Sequence, residues 1–263
     1  MLRRMRIVLA ILFLFSTLPA IASPITLRTS DGLRLKADWM APENKKKGVI
    51  VALHMFRSDR HAWRSLMTAA KKKGLGMLAV DLRGHGESKL HKKNDLSKRV
   101  AARDPTLFRA MHKDVEAALK FLRKKRVHPR RVVLVGASVG CSVALHYAAT
   151  HPNIRAAILL SPGTNYLGLP SLQHITQWGK RPLLMVAPED EVQKGARPLF
   201  DAMLDRTHAI VLAVPHKKLH GTHMFGKVPR LEMRLVEWVQ LRVDEAHEKA
   251  TKPVSKKRPT QRK

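Results

Sequence analysis

Cysteine is almost missing from this chain. Of 263 residues only Cys141 carries a thiol, so no internal disulfide is possible and stability has to come from a buried core. A lone cysteine rules out a Cys-built metal cluster, and the 14 histidines show no zincin spacing. No Gly-x-Gly-x-x-Gly follows an apolar strand and no phosphate loop is present, so the sequence implies no cofactor. Long apolar runs are missing as well. The run from Ile7 to Phe15 is too short for a membrane span of about 20 residues, and no later stretch approaches that length. Acidic residues are scarce: 20 Asp and Glu stand against 50 Lys and Arg, for a net charge of +30. That imbalance bears on partners and solubility and leaves the fold open.

What is there begins with a leader. Arg3, Arg4 and Arg6 precede the apolar run, which closes near Ala20-Ile21-Ala22. This is the build of a secretory signal peptide over residues 1–22, and it implies a periplasmic or secreted protein with a mature charge of +27. The other end, residues 245–263, is rich in Lys, Arg and Pro and poor in large apolar side chains, which predicts a basic disordered tail.

Between them, residues 23–244 read as one domain. Two alternating runs flank Asp31-Gly32 and predict an antiparallel hairpin. Solid apolar runs follow at "GVIVALHM", "LGMLAVDL", "RVVLVG", "IRAAILLSP", "PLLMVA" and "AIVLAV", as expected of strands buried on both faces. Helical patterns separate them over about 61–73, 105–125, 140–150, 194–205 and 230–242, with Asp104 as an N-cap. Alternation of this kind predicts an α/β fold: a mostly parallel sheet with helices on both faces and an antiparallel edge hairpin.

One segment carries chemistry. In Gly136-Ala137-Ser138-Val139-Gly140 a strand turns directly into a helix with a serine at the apex. Small residues two positions either side are needed if the turn is that tight, and the helix N-terminus favours negative charge developing at the serine. A serine hydroxyl is a poor nucleophile at neutral pH. It needs a histidine to take its proton and a carboxylate to orient that histidine.

The chain resembles the α/β-hydrolase superfamily over about residues 25–244. The motifs that carry the resemblance are "LHMFRSDRHAW" after the third strand, "DLRGHGES" after the fourth, the serine turn, "SPGTNYLGL" and "HGTHMF". It is similar to the esterase-like members near the dienelactone hydrolases, although those use a cysteine where Ser138 stands. The resemblance implies the order serine, acid, histidine. Its histidine is His220, followed by Gly221 and Thr222, with His223 and His216 as alternatives. For the acid, residue type favours Asp190, which is the preferred reading, and nine-residue spacing from Pro182 favours Glu191 as the alternative, leaving Glu189 as a bystander. The implied oxyanion hole is the N–H groups of Phe56 and Val139. Met55 replaces the usual glycine there, which narrows the pocket or alters the loop. His54 is expected to be structural, and Arg83 and Glu87 are expected to pair and brace their loop.

The expected protein is therefore an exported serine hydrolase cleaving carboxylic esters through an acyl-enzyme on Ser138. Thioesterase and peptidase activity share that machinery. With only 20 residues between Ser161 and Pro182, the cap is expected to be short and the substrate small or surface-exposed. The competing expectation is a polyanion-binding protein on a hydrolase scaffold with little catalysis, tied to anionic envelope polymers by runs such as Lys45-Lys46-Lys47 and Lys71-Lys72-Lys73. No specific nucleic-acid module is present.

Overall fold

The computed structural model describes residues 22–251. The expected signal peptide, up to residue 21, and the tail beyond residue 251 lie outside the described residues. The chain opens on β1 (Ser23–Arg28) and β2 (Arg34–Met40), which pair antiparallel with Arg28 opposite Arg34. Then come β3 (Val49–Leu53), α1 (Arg64–Lys72) and β4 (Gly76–Val80). Short helices α2 (Ser97–Ala101) and α3 (Pro105–Arg109) lead into α4 (His112–Lys124), β5 (Val132–Ala137), α5 (Val139–Thr150) and β6 (Ala156–Leu160). The last third holds α6 (Ser171–Ile175), β7 (Leu183–Pro188), α7 (Glu189–Val192), α8 (Ala196–Ala202), β8 (Ala209–Val214) and α9 (Leu231–Thr251).

These strands form one eight-stranded sheet in the order β1-β2-β4-β3-β5-β6-β7-β8, parallel from β4 to β8. The apolar runs of β3 to β7 are continuous because both faces are covered, whereas β8, expected to be buried on both faces, is the edge strand and leaves Ile210 and Leu212 exposed. In β3, Val49, Val51 and Leu53 enter one core with Phe108, Val115 and Leu122 of α3 and α4. Ile50 and Ala52 enter the other, with Leu66 of α1 and Leu235 and Val239 of α9. A strand with polar alternation would leave one of these helix layers without a partner.

Two helices differ from their sequence patterns. The run expected over 105–125 breaks at Ala110-Met111, where Met111 N–H bonds Phe108 C=O and Asp114 N–H bonds Met111 C=O in tight i to i−3 turns. The last helix continues to Thr251, so the start of the segment read as a disordered tail is helical. Glu245 holds that extension through ion pairs with Arg242 at 2.9 Å and Arg155 at 3.6 Å.

The loop after β4 is braced differently from the expected Arg83–Glu87 pair. Arg83 turns to Asp114 (2.7 Å) and Asp31 (2.9 Å), and Glu87 turns to Arg60. The reason lies in Asp81, fully buried, whose carboxylate accepts the Arg60 N–H at 2.7 Å and the Glu87 N–H at 2.9 Å besides the Arg60 guanidinium. Buried charges demand this degree of satisfaction. Asp81→Ala should therefore destabilise the protein by about 3 kcal/mol or more in urea unfolding, because it leaves Arg60 short of its buried partner. A change below about 1 kcal/mol would show that the network is not structural.

Candidate active site

Ser138 sits at the joint between β5 and α5 with φ 52° and ψ −119°, a conformation that side-chain-bearing residues rarely adopt. The flanking glycines make the joint possible. A Cβ on Gly136 would collide with backbone of Gly140 and Cys141, and one on Gly140 would collide with the carbonyls of Leu53 and His54. The helix therefore packs backbone to backbone on the end of β3, bringing the serine turn against the loop that carries Phe56. Ser138 N–H is held by Leu160 C=O at 2.9 Å. Cys141, one turn on, is buried, with Sγ 3.2 Å from Gly136 C=O and 3.3 Å from Leu160 C=O, and desolvation pushes its thiol pKa well above the usual value. It stays a protonated filler.

His220 follows β8 and opens a short turn, Gly221–Met224. Its Nδ1 lies 2.6 Å from Glu191 Oε1. Asp190, the carboxylate preferred from the sequence, is thus not the one on the imidazole: the structure places the alternative, Glu191, there. Asp190 is exposed on the outside of α7, where its carboxylate accepts the Lys218 N–H at 3.2 Å, and Glu189 is exposed as well. One turn of helix explains the difference, since successive residues point about 100° apart and only the third faces His220. Among the described residues His216 and His223 meet no carboxylate, and His223 is exposed.

The two halves meet through Gly221. At φ 53° it lies so close to Met55 and Ala137 that a Cβ would strike the Met55 side chain and come within 3.2 Å of Ala137 Cβ. Met55, expected from the sequence to narrow the pocket or alter the loop, is buried against Gly221 of the His220 loop. Tyr166 reaches the site from the cap, its ring edge-on to His220 at 6.3 Å. No hydrogen bond joins Ser138 directly to His220 in this conformation. The Phe56 N–H donates to no backbone carbonyl among the described residues, and Val139, as the first residue of α5, has no intrahelical acceptor. Both are free for a developing oxyanion.

His54 has no nitrogen to spare. Nδ1–H donates to Met55 C=O at 2.7 Å, Nε2 accepts the Leu82 N–H at 3.0 Å, and burial lowers its pKa to about 3. It ties the Phe56 loop to the β4 loop.

Sequence reasoning assigned no role to Ser161 or Tyr166, although it singled out the segment that holds them. Ser161 is fully buried at φ 52°, and its Oγ accepts the Gly221 N–H at 3.0 Å. Tyr166 Oη donates to Ser161 C=O at 3.4 Å, and desolvation raises the phenol pKa to about 12. The signal was the position of "SP" directly after an apolar strand, which alone does not tell a positioning residue from a turn residue.

A strained serine at a strand-to-helix joint, a histidine bonded to a carboxylate and two free N–H groups define an α/β-hydrolase site on an α/β-hydrolase fold. The chain belongs to the family described as serine aminopeptidase, S33, which it matches over residues 44–247. It is therefore a member of an α/β-hydrolase family. No curated protein matches the sequence significantly. Among solved structures it is similar to 2,6-dihydroxy-pseudo-oxynicotine hydrolase, with 14% identity, TM-score 0.67 and coverage of 86% of this chain and 69% of that one. It is also similar to a dienelactone hydrolase from Anabaena variabilis, with 17% identity, TM-score 0.63 and coverage of 86% and 99%. A Pyrococcus furiosus esterase gives 16% identity, TM-score 0.62 and coverage of 84% and 91%. At these identities the likeness is one of fold.

The Ser161 bond yields a test. Ser161→Ala strands a buried Gly221 N–H and should cost about 1–3 kcal/mol in urea unfolding, whereas a cost near zero would mean the bond is dispensable.

Proposed function

We propose that this protein is a serine hydrolase that cleaves carboxylic esters through an acyl-enzyme on Ser138. The observation that carries the reading is the 2.6 Å Glu191–His220 contact beside a serine held at φ 52°. Rotation of the serine hydroxyl toward His220 Nε2 starts the reaction, as expected where such bonds tighten only with substrate bound. Ser138 Oγ attacks the ester carbon and its proton passes to His220 Nε2. The carbonyl oxygen becomes an oxyanion held by the Phe56 and Val139 N–H groups. Collapse of that intermediate breaks the bond to the alcohol oxygen, which leaves with the proton from His220. Water then gives a proton to His220 and attacks the acyl carbon, releasing the acid and restoring Ser138. Glu191 keeps Nδ1–H toward itself throughout, so that Nε2 is the nitrogen facing the serine.

The leader-like residues 1–22 support export, and the serine chemistry is open to thioesters and amides as well. The cap supports small or exposed esters: it consists of a two-residue-strand hairpin, Asn165–Tyr166 with Leu169–Pro170, and the five-residue α6.

A fluorophosphonate probe should label Ser138, and Ser138→Ala should lose both labelling and hydrolysis of 4-nitrophenyl acetate. Iodoacetamide should leave native Cys141 unmodified at neutral pH, because the thiol is buried and stays protonated. His220→Ala should reduce turnover by about 10³-fold or more, and Glu191→Gln by about 10²-fold or more, with Asp190→Asn within a few-fold of wild type. Comparable losses at Asp190 and Glu191 would remove Glu191 from the orienting role.

A further inference from the structure

Beside the Phe56 loop lies a cleft of about 310 Å³ that the ester chemistry leaves unused. Arg57, Ser58, Asp59, His85, Lys89 and Ser97 line it. Arg57 directly follows the residue whose N–H faces the oxyanion, and its guanidinium lies 5.2 Å from the centre of the Phe56 ring. A second guanidinium, from Arg103, lies 5.7 Å from the centre of the same ring. Two like charges thus converge on one aromatic side chain at the mouth of the site. An exposed cation–π contact contributes only about 0.5–1 kcal/mol, a weak offset to that repulsion.

Neither charge has a carboxylate partner among the described residues, and the reason is local. The acid nearest Arg57 in sequence is Asp59, which caps the turn Arg60–Trp63 by accepting the His61 N–H at 2.8 Å and lies 3.2 Å from the His61 ring. The acid beside Arg103 is Asp104, which caps α3 through the Thr106 N–H at 2.8 Å and pairs with Arg99 at 2.7 Å. Arg60 and Arg83, in the same corner of the fold, are each held by carboxylates. Arg57 and Arg103 are left free where their neighbours are neutralised. Both stand on left-handed backbone, at φ 56° and 54°, Arg103 where the chain leaves α2. Lys89 adds a second cation to the lining of the cleft, without a carboxylate partner among the described residues, and Ser58 and Ser97 bring hydroxyl groups.

We infer that this cleft is an anion subsite and that the preferred substrates are esters carrying a carboxylate a few atoms from the scissile carbonyl. With the carbonyl oxygen at the Phe56 N–H, a carboxylate reaching into this cleft meets Arg57 and Lys89 of its lining, with Arg103 held over the same Phe56 ring. A bidentate guanidinium contact suits a carboxylate better than a neutral chain of the same length. This assignment of substrate class rests on the proposed ester hydrolysis.

The test compares kcat/KM for mono-4-nitrophenyl glutarate, which is anionic, with that for 4-nitrophenyl butyrate, which is neutral. Wild type should favour the glutarate by about tenfold at low salt, and 0.5 M sodium chloride should shrink that ratio. Arg57→Gln combined with Arg103→Gln should bring the ratio to about one. The charge-matched control Lys45→Gln with Lys46→Gln, in the exposed turn between β2 and β3 at the other end of the sheet, should leave it intact. A ratio unchanged in the arginine variant, or lowered equally in the lysine control, overturns the inference. Calorimetric titration of wild type with glutarate reads the subsite without turnover: one saturable site, lost in the arginine variant, supports it, and no such site refutes it. Binding of glutarate with neither ester hydrolysed would instead refute the ester reading and leave the subsite standing.

Discussion

Gly140 resting on the carbonyls of Leu53 and His54 is the contact on which the site depends. It joins the start of α5 to the end of β3 without an intervening side chain, so the serine turn and the Phe56 loop are forced side by side. From that contact follow the strained Ser138, the juxtaposition of the Phe56 and Val139 N–H groups and the room beneath Gly221. The strain is sustained because buried strands on both sides of the joint over-determine it, with β5 paired to β3 and β6 along its length.

The second theme is how few acids serve a very basic chain. Asp81 binds one guanidinium and two backbone N–H groups, Asp31 and Asp114 share Arg83, and Glu191 is committed to His220. Two acids used as caps leave a nearby arginine without a partner: Asp59 is turned to His61, and Asp104 is turned to Thr106 and Arg99. In a chain with 20 acids and 50 Lys and Arg, the positions of the acids decide which cations are neutral and which present their charge. That distribution separates Arg60, a structural cation, from Arg57 three residues away.

Much of the architecture was legible in the sequence because a doubly covered parallel strand must be apolar at every position, and such runs are hard to mistake. The serine turn was legible for a related reason, since two glycines in fixed register with a serine betray the close approach they permit. The break at Ala110-Met111 was not, because its apolar spacing continues through a local 3₁₀-like tightening. Nor was the helix beyond residue 242 legible. Its polar composition argued for disorder, and burial of Val243 together with the ion pairs of Glu245 with Arg155 and Arg242 ties its start to the domain.

Periodicity and motif spacing by themselves determined the α/β alternation and the nucleophile candidate Ser138, because these depend on residues near one another in sequence, whereas His220 came from the resemblance to the α/β-hydrolases. Three matters were decided only by tertiary structure: Glu191 rather than Asp190 on the imidazole, Met55 under the loop rather than in the pocket, and Arg83 and Glu87 bound to separate partners. In the first, adjacent carboxylates differ by which side of a helical turn they occupy. The partner that selects between them comes from a distant segment, as His220 does for Glu191.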